Sequence, residues 1–217
     1  MRLVARVVGR VMALYVRLVA RTARIQGSVR QDQCVLAFWH EYNLAAAIAV
    51  RRTRNHMRHV SFSTATFRGE VMNAMLDALG AGSVPLPAEN ERAESARLTR
   101  EMARLGRQGA SLGVSPDGPM GPYRRAKPGA LIVARESGLP LQPWAVRASP
   151  ALRLRRRWDR HIVPLPFCRM AVIEGSSIDV GPKEPLRPLL VRLQRALDEV
   201  STRADARAGE APGEARG

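Results

Sequence analysis

Strand-length apolar runs alternate with helix-length segments along most of this chain, and that alternation constrains its fold more than any other feature. CVLAFWH (34–40) is an apolar run of strand length, and EYNLAAAIAV (41–50) is alanine-rich and free of Gly and Pro, which suits a helix. HVSFSTA (59–65) reads as a second strand, GEVMNAMLDALGA (69–81) as a helix closed by Gly80, and SVPLP (83–87) as a brief strand. AESARLTREMARLGRQG (93–109) follows as a helix ended by a glycine, then SLGVSP (111–116) as a strand and GALIVARESG (129–138) as a helix. LPLQPWAVRA (139–148) and RMAVIEGSSIDV (169–180) complete the strands. The pattern predicts an α/β layered sheet in one domain over residues 27–200. A length of 217 residues suffices for its core. Residues 201–217, rich in Ala, Gly, Glu and Arg without apolar spacing, read as a disordered tail.

Ahead of the domain, residues 1–26 hold an amphipathic helix. At about 100° per residue, Arg2, Arg6, Arg10, Arg17, Arg21 and Arg24 share one arc, and Val4, Val7, Val8, Val11, Leu14, Tyr15, Leu18 and Val19 occupy much of the remainder. Arginines this frequent exclude a transmembrane span, where each would cost about 2.5–3.5 kcal/mol near the centre. No apolar core followed by small residues marks a cleaved signal peptide. The segment fits a helix lying in a membrane interface, with arginines among headgroups and aliphatic residues at the acyl boundary. Packing of the apolar face on its own domain is the other reading, and one helix can do both.

The charge balance, 35 Lys+Arg against 19 Asp+Glu for a net +16, calls for a polyanionic partner. An anionic membrane surface is expected rather than nucleic acid, because aromatic residues that could stack on bases make up only 5% of the chain. Cys34 and Cys168, each in an apolar stretch, form neither a disulfide framework nor a metal-ligand spacing, which points to a reducing, cytoplasmic setting. His56 and His59 lie in a basic polar segment and read as solvated surface.

Two constellations could carry chemistry. FWH (38–40) ends an apolar strand and places His40 at a carboxyl edge, where α/β proteins commonly build sites. PDGPMGPYRRAKPGA (116–130) crowds glycines and prolines into a restricted loop after a buried strand. That loop presents backbone N–H groups and the Asp117 carboxylate, beside the cations Arg124, Arg125 and Lys127. No glycine-rich nucleotide cradle of the GxxxxGK[ST] or GxGxxG kind is present.

FWH, GE (69–70), SPDGPMGP (115–122), KPG (127–129), SGLPLQPWAV (137–146) and WDRHIVPLPF (158–167), in that order, resemble the lysophospholipid acyltransferase-like superfamily, in particular the branch known as domain of unknown function 374. The match covers roughly residues 30–180. The resemblance implies a central mixed, mostly parallel sheet with an acyl groove. It also implies transfer of a fatty acyl group from acyl-CoA or acyl-carrier protein, as co-substrate, to a hydroxyl of a lysophospholipid or glycolipid. No metal or other cofactor is needed for that chemistry. His40 would take the acceptor's proton, a carboxylate would orient its imidazole, and N–H groups or basic side chains would hold the oxyanion. By the same resemblance Asp117, Gly118, Pro119, Gly121, Pro122, Arg124 and Lys127 bind substrate.

The chain departs from the superfamily at three places. The acid usual five positions after the histidine is replaced by Ala45, and Arg68-Gly69-Glu70 stands where the branch has Asp-Gly-Glu. Glu70 is therefore the expected orienting carboxylate, with Glu41 and Asp117 behind it. LPAENERAES (86–95) replaces a segment usually rich in arginine, glycine and serine, leaving Arg92 as the nearby cation for an acceptor phosphate. Trp158, Asp159 and Arg160 are expected to help close the groove. A non-catalytic lipid-binding relative is the alternative these departures leave open.

Overall fold

The computed structural model describes residues 1–27, 31–54, 56–64, 66–86 and 92–209. Its strands are β1 (Arg24–Gln26), β2 (Val35–Ala37), β3 (His59–Thr64), β4 (Gly82–Leu86), β5 (Ser111–Val114), β6 (Leu141–Arg153) and β7 (Ile162–Glu174). Its helices are α1 (Arg2–Thr22), α2 (Asn43–Thr53), α3 (Phe67–Leu79), α4 (Arg92–Arg107), α5 (Gly129–Ser137) and α6 (Leu186–Gly209). The strands form one seven-stranded sheet in the order β1-β7-β6-β2-β5-β3-β4. From β2 to β5 each strand is followed by a helix, and neighbours among β2 to β6 pair in parallel, as crossover connections require. β7 returns antiparallel to β6, and β1 joins parallel to β7 at the edge. The fold is thus the expected α/β architecture with a mixed, mostly parallel sheet. The central β2 shows why its sequence lacks alternation, since Val35, Leu36 and Ala37 are buried whichever face they point to.

α1 is built from three stripes. Ala5, Gly9, Ala13, Val16 and Ala20 form a buried seam of mostly small residues. At Gly9 an added Cβ would lie 2.5 Å from the Ala74 Cβ and 2.6 Å from the Val71 carbonyl oxygen, so only glycine allows this approach to α3. Tyr15 donates to the Pro164 carbonyl at 2.5 Å, and Arg17 donates to the Ala78 carbonyl. On the opposite side, by helical phase, Leu3, Val4, Val7, Val8, Val11, Leu14 and Leu18 are exposed. Arg2, Arg6, Arg10, Arg17 and Arg21 run between these two stripes along one flank. Beside the end of α1 stands Phe167, 76% exposed, whose N–H donates to the Thr22 hydroxyl at 3.1 Å.

Several boundaries differ from the sequence reading. The N-terminal helix stops at Thr22, and Arg24–Gln26 form sheet strand β1 instead of continuing it. β2 ends at Ala37, and His40 opens a 3₁₀ turn, His40–Tyr42, rather than closing a strand. β6 runs on to Arg153 and β7 begins at Ile162, making a long hairpin that Pro150, Pro164 and Pro166 hide from a pattern search. α6 was not expected, although Leu189, Leu193, Leu197, Val200 and Ala204 recur at helical spacing and are all buried. It continues to Gly209, so the stretch read as tail from 201 is helical that far; residues 210–217 lie outside the described residues.

Candidate active site

Past β2 the chain stays buried through Phe38 and Trp39 and then bends into the 3₁₀ turn that carries His40. β5 lies beside β2, and the Phe38 N–H donates to the Val114 carbonyl at 3.2 Å, so the segment after β5 emerges next to His40. In that segment Asp117 is fully buried. One carboxylate oxygen accepts the His40 backbone N–H at 2.9 Å, and the other accepts the Arg124 N–H at 3.2 Å. Asp117 therefore ties the histidine turn to the far side of the PDGPMGP loop. Burial pushes its carboxyl up to about 6, against the two N–H donors that favour the charge.

Gly118 is placed against the imidazole itself. A Cβ there would sit 2.6 Å from His40 Nδ1 and 2.7 Å from Cε1. Gly121 adopts φ +75°, and a Cβ on it would come within 2.9 Å of the Trp158 ring. That ring lies 5.1 Å from the His40 ring, tilted by 43°. His40 is enclosed by the loop on one side and the β6–β7 connection on the other, and its Nδ1 is buried without a hydrogen-bond partner. Burial is the main cause that lowers its pKa to about 4, so the imidazole is neutral at neutral pH and free to accept a proton. Asp159 opposes that shift, while His161, Arg157 and Lys127 add to it.

The expected carboxylates are placed elsewhere. Glu70, in the first turn of α3, pairs with Arg2 of α1 at 3.8 Å. Glu41 is fully buried beside His40 in sequence, yet it accepts from Arg124 Nε at 2.7 Å, the Tyr123 hydroxyl at 3.0 Å and Arg153 at 3.3 Å. Glu41 anchors the loop, and Arg124 is committed to it and to the Tyr42 hydroxyl at 2.9 Å. Lys127 donates to the Gly118 carbonyl at 3.4 Å, which brings its charge to the histidine. Pro119 and Pro122 shape the loop that carries it, and Met120 between them is 83% exposed. Arg92 opens α4, but residues 87–91 before it lie outside the described residues.

The acid that acts on His40 is Asp159, expected only to help close the groove. It is fully buried, accepts Arg157 Nε at 2.8 Å and Nη2 at 2.9 Å, and stands 3.6 Å from His161 Nδ1. Burial works against its charge, but Arg157 and His161 outweigh that and hold the carboxyl well below the usual range. His161 in turn lines an apolar cavity of about 160 Å³ beneath α1. Met12, Leu36, Ala46, Phe62, Met72 and Leu79 contribute to its wall, and Phe38 and Asn43 bring it to the residues flanking His40. His59, read as surface, also lines this cavity, its Nε2 lying 3.0 Å from the Arg54 carbonyl oxygen.

No family model matches the chain. An uncharacterized protein of Rickettsia prowazekii (strain Madrid E) is 28% identical over 150 residues, 69% of this chain and 66% of that relative, so this chain spans just under two thirds of the relative's length.

Proposed function

We propose that this protein is a membrane-surface acyltransferase that moves a fatty acyl group from a thioester to a lipid hydroxyl, with His40 as general base. The observation that carries this reading is the apolar cavity beneath α1, whose wall includes Phe38 and Asn43 on either side of His40 in the chain, together with the half-buried, neutral imidazole of His40 at the carboxyl edge of the sheet. An acyl chain lying in the cavity brings its thioester carbonyl to His40, and a mostly hydrocarbon lining suits no polar substrate of similar size. His40 takes the proton of the acceptor hydroxyl as that oxygen attacks the carbonyl carbon. The tetrahedral intermediate then expels the thiolate, which takes the proton back from the imidazolium. Lys127 is the cation best placed to stabilise the oxyanion, because the Gly118, Arg124 and Lys127 backbone N–H groups are already bonded within the loop.

The membrane half of the proposal rests on α1. Its exposed aliphatic stripe is set opposite its buried seam, so docking on the domain and insertion into an interface are compatible. Each half-exposed Val or Leu contributes on the order of 1 kcal/mol when it enters the acyl boundary, and the flanking arginines add attraction to anionic headgroups. No helix among the described residues is long and apolar enough to cross a membrane. Acyl-CoA or acyl-carrier protein would supply the donor, and an anionic bilayer the acceptor.

The test is incubation of the full chain with labelled acyl-CoA and acyl-carrier-protein thioesters and a panel of lysophospholipids and glycolipids on anionic vesicles. Transfer that disappears in His40→Ala supports the reading. Absence of transfer to every acceptor, or equal transfer by His40→Ala, overturns it; tight lipid binding without turnover would instead mark a non-catalytic lipid-binding protein, the reading that Ala45 and the Glu70–Arg2 pair favour.

A further inference from the structure

His40 lacks the acid that a base of this kind needs, because Ala45 stands five residues on and Glu70 and Glu41 are spent on arginines. We propose that Asp159, carried on the connection between β6 and β7, is the positioning carboxylate of this site: it holds the imidazolium that forms on His40 and fixes His161 in the wall of the apolar cavity. The inference rests on the acyl-transfer reading for its purpose, but its geometry stands apart from any substrate.

Three observations converge on Asp159. First, the 157–161 segment is pressed against His40 through the Trp158 ring, 5.1 Å away, and Gly121 leaves the space which that ring fills. Second, Asp159 is fully buried although it carries a charge, and a buried carboxylate persists only where its partners are fixed. Arg157 supplies a two-pronged contact at 2.8 and 2.9 Å, which locks the orientation of the carboxylate and leaves it lone pairs to spare. Third, His161 Nδ1 lies 3.6 Å from the second carboxylate oxygen and is otherwise without a hydrogen-bond partner, while its ring lines the cavity. A modest shift would close that contact into a hydrogen bond. The charged groups acting on His40 are then Asp159, Arg157 and His161 from the β6–β7 connection and Lys127 from the loop, and Asp159 is the single acid among them. When His40 takes a proton from the acceptor, the new positive charge meets three cationic or potentially cationic neighbours, and Asp159 is the carboxylate that offsets them.

The experiment compares wild type with Asp159→Asn, Asp159→Glu and Arg157→Gln. It uses two readouts: steady-state acyl transfer, and the ¹⁵N shifts of the His40 ring at neutral pH, assigned by their loss in His40→Gln. For Asp159→Asn we expect kcat to fall at least about a hundredfold with KM within about twofold, and the His40 ring shifts to move. Asp159→Glu restores part of kcat. Arg157→Gln keeps the carboxylate but frees its orientation, so kcat falls by clearly less than in Asp159→Asn. Should Asp159→Asn fold poorly, the contrast between Asp159→Glu and Arg157→Gln carries the same test, because a purely structural pair would lose equally from either partner. His40 ring shifts unchanged in Asp159→Asn, or Arg157→Gln as damaging as Asp159→Asn, would overturn the assignment. Ring shifts that move in a protein without transfer activity would support the positioning role and sink the acyltransferase reading alone.

Discussion

Gly118 offers the sharpest single-atom test of the candidate site, because one added methyl is aimed at the His40 ring. In Gly118→Ala the new Cβ would lie 2.6 Å from His40 Nδ1 and 2.7 Å from Cε1. Comfortable contact between such atoms needs about 3.5 Å, so ring and loop must separate by roughly 0.9 Å. The loop has little freedom to give: Asp117 ties it to the His40 and Arg124 N–H groups, and Lys127 bonds back to Pro116. The ring has little more, with Trp158 5.1 Å away on the other side. A displacement of this size at a base costs about a hundredfold in rate, whereas overpacking of this kind costs only about 1–3 kcal/mol of stability. Acyl transfer measured beside a denaturant melt should therefore show kcat falling about a hundredfold in a protein that still unfolds cooperatively. Wild-type kcat in a folded Gly118→Ala protein would refute the placement of His40 against this loop.

Three further outcomes follow from the charged groups. Glu41→Ala leaves Arg124, Arg153 and Tyr123 without their shared acceptor and should cost about 3 kcal/mol or more in a chemical melt, while Glu70→Gln should leave the transfer rate unchanged because its partner is Arg2. On acidification His40 and Asp117 pull in opposite directions. Folded His40 holds its proton only below about 4 against an ordinary 6.5, so the unfolded chain binds more protons between those values and stability falls as pH drops through that window. Folded Asp117 holds its proton up to about 6 against an ordinary 3.8, so it gains stability over nearly the same window. Removing one partner unmasks the other: urea melts of His40→Gln from pH 6.5 to 4.5 should lose less stability than wild type, by roughly 2 kcal/mol.

Much of this fold can be read from local pattern. The β2-to-β6 succession follows from apolar runs of strand length separated by helical segments, and Gly80 closes α3 in the left-handed conformation, φ +78°, that a C-terminal cap demands. β1 escaped notice because Arg24, Ile25 and Gln26 are a strand only by pairing with Arg169, Met170 and Ala171, residues from the other end of the chain. α6 has a clear apolar spacing, but it lies between Pro188 near its start and a polar, alanine-rich end. The loop and His40 stood out in sequence because glycines and prolines crowd together only where backbone geometry is restricted, and the structure packs the two against each other. The placement of Asp159 near His40 was not legible, since it depends on the long β6–β7 hairpin bringing Trp158 against the histidine ring. Glu70, three residues from a helix start and beside a glycine, looked available in sequence; the N-terminal helix that captures it through Arg2 is a tertiary fact.

Central to the proposed function is that one acyl chain fills the cavity while its thioester carbonyl stands at His40. The most direct measurement is photocrosslinking of His40→Ala protein, which cannot turn the donor over, with an acyl-CoA carrying a diazirine at its terminal carbon, followed by peptide mapping. Adducts on β3 and α3, at Phe62, Met72, Met75 or Leu79, competed away by unlabelled acyl-CoA, are the predicted result. Adducts confined to the outer stripe of α1, or labelling of the cavity that unlabelled acyl-CoA does not displace, would contradict it.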